Sequence, residues 1–179
     1  KANEAGTATK IHTSMINLGK GAAIRFGLEY VTGDMVIIQD ADLELNPNEY
    51  IQLIRPIIEG KTDVVYGSRF TQKPITNIPL LRKNANRFLT GLSNLLYRGN
   101  LTDMETAYKV FRTNVIKSIT LRSVGFDIEA EITAKLLKSG HSIVEVPISY
   151  TPRTVDEGKK ISWIDGVETI YTLLKYRFF

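Results

Sequence analysis

Three acidic side chains follow a short apolar run in the first third of the chain. The run is Met35–Ile38, and Asp40, Asp42 and Glu44 come at every second position after it. Residues two apart on an extended chain point the same way, so the two aspartates can face one point and Glu44 can join them. Carboxylates held together repel each other unless a cation lies among them. The spacing therefore predicts a site for Mg²⁺ or Mn²⁺, which prefer oxygen ligands and bridge the phosphates of nucleotides.

A solvated acidic turn is the competing interpretation of these carboxylates. The D-x-D tripeptide is short and frequent, and acidic residues often precede helices, where they face the positive end of the helix dipole. Asn46 and Pro47 do predict a helix start here, as a cap and a first-turn residue. The chain has no cysteine and only two histidines. Disulfides and thiolate metal sites are therefore excluded, and a cation site must be built from oxygens.

The surrounding elements predict how the acidic residues are positioned. Strands and helices alternate through the first half of the chain, which indicates an α/β fold with a mainly parallel central sheet. The continuous apolar run before the acids is typical of a strand buried on both faces. In open α/β sheets, ligands bind at the carboxyl ends of such strands. The predicted strands are 11–16, 35–38, 63–70 and 144–150, and the predicted helices are 21–31, one begun at Asn46, 79–97, 127–139 and 161–179.

Length and charge limit the classes of function. The chain has 179 residues, enough for one well-packed domain and too few for two large ones. A net charge of +4 and a pI of about 9.2 suit nucleic acid, anionic lipid or phosphate-bearing substrates without choosing among them. Because the basic residues are scattered and no nucleic-acid recognition motif is found, nucleic acid is not an expected partner.

Five segments, taken as an ordered set, carry a family resemblance. They are NLGKGAAIRFGLEYVTGDMVIIQDADLELNPNEY, DVVYGSRF, TDMETAYKVFR, GFDIEAEITAKLLKSG and VEVPISYTPRTVDEGKK. From about Ile11 to the C-terminus the chain resembles the polyprenyl-phosphate (dolichyl-phosphate) glycosyltransferases, inverting enzymes of glycosyltransferase family 2. The resemblance implies the GT-A fold, a Rossmann-like three-layer α/β/α domain over 1–179. Family members open with strands and acidic turns that are not found here, so the first N-terminal strands are expected to be lacking.

The resemblance implies roles for the acids and for two basic residues. Asp40, Asp42 and Glu44 match the metal ligands that hold the donor diphosphate, although the family often has Gln where Glu44 stands. Arg69 matches a GSR motif, and its planar fork suits a phosphate. Lys20 matches a GKG segment whose backbone N–H groups can meet a phosphate. A surface salt bridge and a solvated lysine are the respective alternatives.

The resemblance also implies an acceptor side of the site. Asp103 and Glu105 are candidates for contacting sugar hydroxyls, against the alternative of a turn that caps the next element. Asp127 or Glu129 is a candidate base, although helix N-termini attract acids in any case. Three residues of a basic loop match the family's acceptor-phosphate loop, with a solvated charge run as the alternative: Arg153, Lys159 and Lys160.

The resemblance predicts transfer of a hexose, with inversion, from GDP-mannose or UDP-glucose to a polyprenyl phosphate. An acceptor phosphate is already ionised near neutral pH, so no strong general base is required. The expected location is cytoplasmic and peripheral to the membrane, with a C-terminal amphipathic helix at 161–179 that carries Lys175 and Arg177. Ordinary core packing is the alternative for its apolar face. A polysaccharide acceptor and a non-catalytic partner subunit remain as alternative functions.

Overall fold

The computed structural model describes residues 11–71, 80–152 and 163–179. These residues form four strands and six helices, and a turn of 3₁₀ helix at Pro47–Glu49 precedes the second helix. The strands are β1 (Met35–Ile38), β2 (Val64–Ser68), β3 (Lys109–Arg112) and β4 (Ile143–Pro147). The helices are α1 (Lys20–Glu29), α2 (Tyr50–Ile58), α3 (Leu80–Tyr97), α4 (Thr113–Ser118), α5 (Ile128–Lys138) and α6 (Trp163–Phe178).

The four strands make one mixed sheet in the order β1-β3-β2-β4. β2 and β4 pair in parallel, whereas β3 runs antiparallel to both β1 and β2. Three of the four strands therefore point the same way, which confirms the predicted α/β class with a mainly parallel sheet. The carboxyl ends of β1, β2 and β4 and the start of β3 consequently lie at one edge of the sheet, called here the site edge.

Two expectations about strands were wrong. Residues 11–16 form no strand, and their apolar side chains are exposed; the ring of His12 instead stacks on Phe26 of α1, with 3.9 Å between centroids. β1 is only partly buried, apart from Ile38, because within the described residues it pairs on one side alone, with β3. β3 itself was not predicted from the sequence.

Two apolar cores cover the two faces of the sheet. Successive residues of a strand point to opposite faces, so Val64 and Tyr66 enter one core while Val65, between them, enters the other. The first core is completed by residues of α3, α5 and α6, including Ile128. The second is completed by α2, through Leu53 and its neighbours. The arrangement is the expected three-layer α/β/α.

Local signals account for the helix that follows the acidic turn. The Asn46 side chain accepts a hydrogen bond from Asn48 N at 3.1 Å and so caps the 3₁₀ turn that leads into α2. Glu49, the last residue of this 3₁₀ turn, accepts a hydrogen bond from Ser149 N at 2.9 Å. This bond ties the beginning of α2 to the chain that leaves β4.

Candidate active site

The site edge gathers most of the residues singled out from the sequence. The acidic turn follows β1, Arg69 follows β2, and Asp103 and Glu105 precede β3. Lys20 begins α1, and Glu129 lies in the first turn of α5. Arg153, Lys159 and Lys160 lie outside the described residues, as does the loop that carries them.

A lysine joins two of these segments. Lys20 Nζ lies 2.7 Å from Asp40 Oδ2 and also 2.7 Å from Glu129 Oε1, and its side chain is only 14% exposed. Burial lowers the pKa of Lys20, but the charges of Glu129 and Asp40 outweigh burial and raise this pKa above its ordinary value. Lys20 therefore remains a cation between the acidic turn and α5.

Two glycines allow α1 to begin where Lys20 can make these contacts. Gly19 has φ +91°, a left-handed conformation that side chains rarely adopt, and a Cβ there would lie 2.3 Å from the carbonyl oxygen of Val124. Gly21 donates its N–H to the carbonyl of Gly125 at 3.2 Å, and its absent Cβ leaves room for Ser123. The helix start is thereby held against the segment that leads into α5.

A second lysine completes a chain of alternating charges. Lys109 is fully buried, and its ammonium donates to Glu129 and to the carbonyls of Met104 at 2.9 Å and Thr106 at 2.5 Å. Burial lowers the pKa of Lys109 and raises that of Glu129, but the charges of Lys109 and Lys20 bring the pKa of Glu129 below its ordinary value. Glu129 is therefore an ionised counter-charge between two lysines. This arrangement positions the two lysines and does not leave Glu129 free to act as a base.

The three acidic side chains of the turn do not converge. Asp42 Oδ1 accepts a hydrogen bond from Glu44 N at 3.2 Å, whereas Glu44 Oε2 accepts one from the Tyr150 hydroxyl at 3.0 Å. Leu43, between them, has φ +61°, so the backbone is not extended and the every-second-residue rule fails. Within the part of the chain that the structure describes, no three acidic or histidine side chains are grouped as metal ligands.

The donor chemistry of the turn nevertheless fits a hard cation. Asp40, Asp42 and Glu44 offer only oxygen atoms, all three are partly exposed, and they follow one another on a single turn at the site edge. The described contacts of Asp40 with Lys20 and of Glu44 with Tyr150 each use one carboxylate oxygen, Oδ2 and Oε2 respectively.

Arg69 is held rigidly by a buried aspartate. The Asp103 carboxylate, fully buried, accepts from Arg69 Nε at 2.7 Å, Nη2 at 2.8 Å and the backbone N at 3.0 Å. Asn86 of α3 donates to the same carboxylate at 2.9 Å. Because both oxygens of Asp103 are engaged, the geometry favours a role in positioning Arg69 over the predicted contact with sugar hydroxyls.

Glu105 has an unsatisfied oxygen close to Arg69 and Glu129. Its Oε1 is buried and has no hydrogen-bond partner within the described residues. Burial, with the negative charge of Glu129 adding to it, raises the pKa of Glu105 to about 7. Near neutral pH this carboxyl can therefore either donate or accept a hydrogen bond, which suits contact with a hydroxyl.

Asp127 is directed to a different place from Glu129. Its Oδ2 accepts hydrogen bonds from Ser123 Oγ at 2.5 Å and from Thr172 Oγ1 of α6 at 3.2 Å. None of the described contacts joins Asp127 to Lys20 or to the acidic turn. The structure thus brings Glu129 into the charged network and leaves Asp127 between α5 and α6.

Several residues that shape the site were missed from the sequence. Lys109 and Asn86 gave no local signal, because the carboxylates that they contact, Glu129 and Asp103, are 20 and 17 positions away in the chain. Glu145 of β4 was also missed; it accepts hydrogen bonds from Thr102 N at 2.8 Å and from Asp103 N at 3.0 Å, and so fixes the turn that holds Arg69. The fourth such residue is Tyr150.

The fold defines the class of protein. The mixed sheet between two layers of helices is the GT-A glycosyltransferase fold. The chain belongs to glycosyl transferase family 2, whose family model matches residues 9–120.

Named relatives agree with this assignment, and a solved structure shares the fold. The chain is 30% identical over 166 residues to dolichol-phosphate mannosyltransferase of Pyrococcus furiosus, covering 88% of this chain and 46% of that protein. It is 28% identical over 136 residues to glycosyltransferase AglJ of Haloferax volcanii, covering 75% and 45%. Glucosyl-3-phosphoglycerate synthase of Mycobacterium tuberculosis, solved with Mn²⁺, UDP and phosphoglyceric acid, has a similar fold (TM-score 0.68, 18% identity, 89% and 54% coverage). The chain spans less than half the length of these two curated relatives.

Proposed function

We propose that this chain carries the catalytic site of a hexosyltransferase, which moves a hexose with inversion from a nucleotide-sugar to a polyprenyl phosphate. The observation that carries the proposal is the convergence at one sheet edge of the acidic turn, Lys20 and the Asp103-bound Arg69. A nucleoside diphosphate needs positive charge around its phosphates, and both basic side chains are preorganised by buried acids.

The donor side of the proposed site is the acidic turn. Asp40, Asp42 and Glu44 would hold Mg²⁺ or Mn²⁺, and the ion would neutralise the charge that develops on the leaving diphosphate. Lys20 and Arg69 would contact the phosphates, and Arg69 suits this task because its guanidinium already lies in a fixed plane. Support for a nucleotide-sugar and a divalent ion comes from structural neighbours that were solved with UDP-glucose and Mn²⁺.

The acceptor side needs little proton transfer. A phosphate monoester is ionised at neutral pH, so its oxygen can attack the anomeric carbon without a general base. This agrees with the state of Glu129, which is held ionised between Lys20 and Lys109. Glu105, with its unsatisfied oxygen, is the candidate for orienting the sugar. Arg153, Lys159 and Lys160 remain the proposed contacts of the acceptor phosphate.

A lipid acceptor implies contact with a membrane surface. The relative named dolichol-phosphate mannosyltransferase supports such an acceptor. Within the described residues, no helix has the length and apolarity required to cross a bilayer. Three aromatic side chains of α6 are nevertheless 64% to 79% exposed: Trp163, Tyr171 and Phe178. The last turn of α6 also carries two basic residues, Lys175 and Arg177. We propose that this face lies against a cytoplasmic membrane surface.

Transfer of labelled sugar tests the proposal directly. The chain would be incubated with Mn²⁺, a polyprenyl phosphate in detergent and either GDP-mannose or UDP-glucose, and the lipid phase would be counted. We expect label in the lipid phase with one donor, and its loss in Asp42→Asn. Asp63→Asn is the matched control, because Asp63 makes an exposed pair with Arg112 away from the site edge. No label in the lipid phase with either donor, or equal activity in Asp42→Asn, would contradict the proposal.

A further inference from the structure

One tyrosine contacts two separate parts of the proposed donor site. The hydroxyl of Tyr150 donates to Glu44 Oε2 at 3.0 Å, and its ring lies under the guanidinium of Arg69, with 5.2 Å from Cζ to the ring centroid. Tyr150 comes three residues after the end of β4, whereas Glu44 follows β1 and Arg69 follows β2. A single side chain thus connects the ends of three strands.

The backbone around this tyrosine is fixed to the same turn. Thr151 donates its N–H to the carbonyl of Glu44 at 3.0 Å. Ser149, on the other side, donates its N–H to Glu49 Oε1 at 2.9 Å. The segment 149–151 therefore keeps its place relative to the acidic turn even if the ring of Tyr150 changes, so a substitution there alters side-chain contacts without releasing the chain.

The two contacts of Tyr150 are chemically separable. The hydroxyl orients a carboxylate that belongs to the proposed cation site, as residues behind a metal ligand commonly do. The ring holds a guanidinium over its π face, an attraction that needs no hydroxyl. Phenylalanine keeps the ring and loses the hydroxyl, and leucine loses both.

We propose that Tyr150 is a positioning residue. It holds the acidic turn and the phosphate-binding arginine in the relative positions that one donor molecule requires. It does so by orienting Glu44 through its hydroxyl and Arg69 through its ring. This inference rests on the proposed function, because it gives the two positioned groups a common ligand, a nucleoside diphosphate with its divalent cation.

The two contacts predict different losses in two variants. Tyr150→Phe should weaken Mn²⁺ binding, measured by calorimetry or by the electron paramagnetic resonance of free Mn²⁺, by about 10-fold, the lower end of what lost orienting contacts cost. Its affinity for the metal-free nucleotide should stay within about twofold of the wild type. Tyr150→Leu should lose the same Mn²⁺ affinity and also bind the metal-free nucleotide about 3- to 10-fold more weakly, because Arg69 keeps its pair with Asp103 but loses the ring that orients its face.

Controls distinguish this inference from the function on which it rests. Tyr30→Phe changes a half-exposed tyrosine at the end of α1 opposite Lys20, and this variant should bind Mn²⁺ and nucleotide like the wild type. Hydrogen exchange of residues 39–45 should be faster in Tyr150→Phe, while thermal unfolding of both variants stays close to the wild type. If the wild type binds Mn²⁺ and Asp42→Asn does not, but Tyr150→Phe and Tyr150→Leu both match the wild type, the positioning role is refuted and the function stands. If the wild type binds neither Mn²⁺ nor nucleotide, both are refuted.

Discussion

The buried lysine of β3 gives the sharpest test of how the site is held. Lys109 donates to Glu129 and to two carbonyl oxygens, and no part of its side chain is exposed. Lys109→Met keeps the length and most of the volume of the side chain, so packing is largely preserved. It removes the charge, and so leaves Glu129 with Lys20 as its counter-ion and the carbonyls of Met104 and Thr106 without this donor.

The expected loss of stability follows from these contacts. Breaking a buried ion pair by removing one partner costs about 3–5 kcal/mol, because the other charge stays buried. With a urea dependence of about 2 kcal/mol per molar, the unfolding midpoint should fall by about 1.5–2.5 M. The assay is equilibrium urea unfolding followed by circular dichroism.

Two comparisons distinguish the effect of losing the Lys109 charge from a general loss of stability. Lys61→Met should leave the midpoint unchanged, because Lys61 is an exposed lysine paired with Glu59 on the surface. The double variant Lys109→Met with Glu129→Gln should lose at least about 1 kcal/mol less stability than the sum of the two single variants. In the double variant, no ionised Glu129 is left with one of its two lysines missing. A Lys109→Met protein within about 1 kcal/mol of the wild type would refute the account of the charged network.

Three further predictions concern neighbouring residues. Folding raises the pKa of Glu105 from 4.5 to about 7, so the native state binds the extra proton between these values and loses stability as the pH rises through them. Glu105→Gln should therefore be more stable than the wild type at pH 8 by about 1–3 kcal/mol and no more stable at pH 4, as measured by urea unfolding at each pH. Gly19→Ala should destabilise the protein by at least about 1–2 kcal/mol in the same assay and speed hydrogen exchange in α1, because of the left-handed φ and the clash with Val124. Arg69→Lys should weaken nucleotide binding about 10-fold in calorimetry, because an ammonium cannot reproduce the two parallel hydrogen bonds to Asp103 that fix the guanidinium.

The sequence predicts those parts of the fold whose signals are local. The helices, the Asn46 cap and β1 as a strand each depend on near neighbours, and all were confirmed, although β1 is not buried on both faces as expected. β3 was missed because its four residues, Lys109–Arg112, begin and end with a basic side chain. Lys109 can be buried because two nearby carbonyls and Glu129, which is 20 positions away and brought close by the tertiary fold, satisfy its ammonium. No periodicity could have indicated this.

The same distinction between local and distant signals applies to the candidate site. The acidic turn, Lys20 and Arg69 were found from motifs, and the sheet does gather them at one edge. Their partners were not found, since the Asp103–Arg69 pair joins residues 34 positions apart. The expectation that the three acids face one point failed for a local reason that the sequence conceals. Leu43 adopts a left-handed conformation although it is not glycine, and this turns Glu44 toward Tyr150.

The most direct test of the central claim is whether this chain binds a nucleotide-sugar through its acidic turn. Calorimetric titration with GDP-mannose and with UDP-glucose, each with and without Mn²⁺, would be made on the wild type and on Asp42→Asn. We predict that one donor binds, that Mn²⁺ strengthens its binding, and that Asp42→Asn abolishes the Mn²⁺ effect. Binding of either donor that is unaffected by Asp42→Asn, or no binding of either with Mn²⁺ present, would contradict the account.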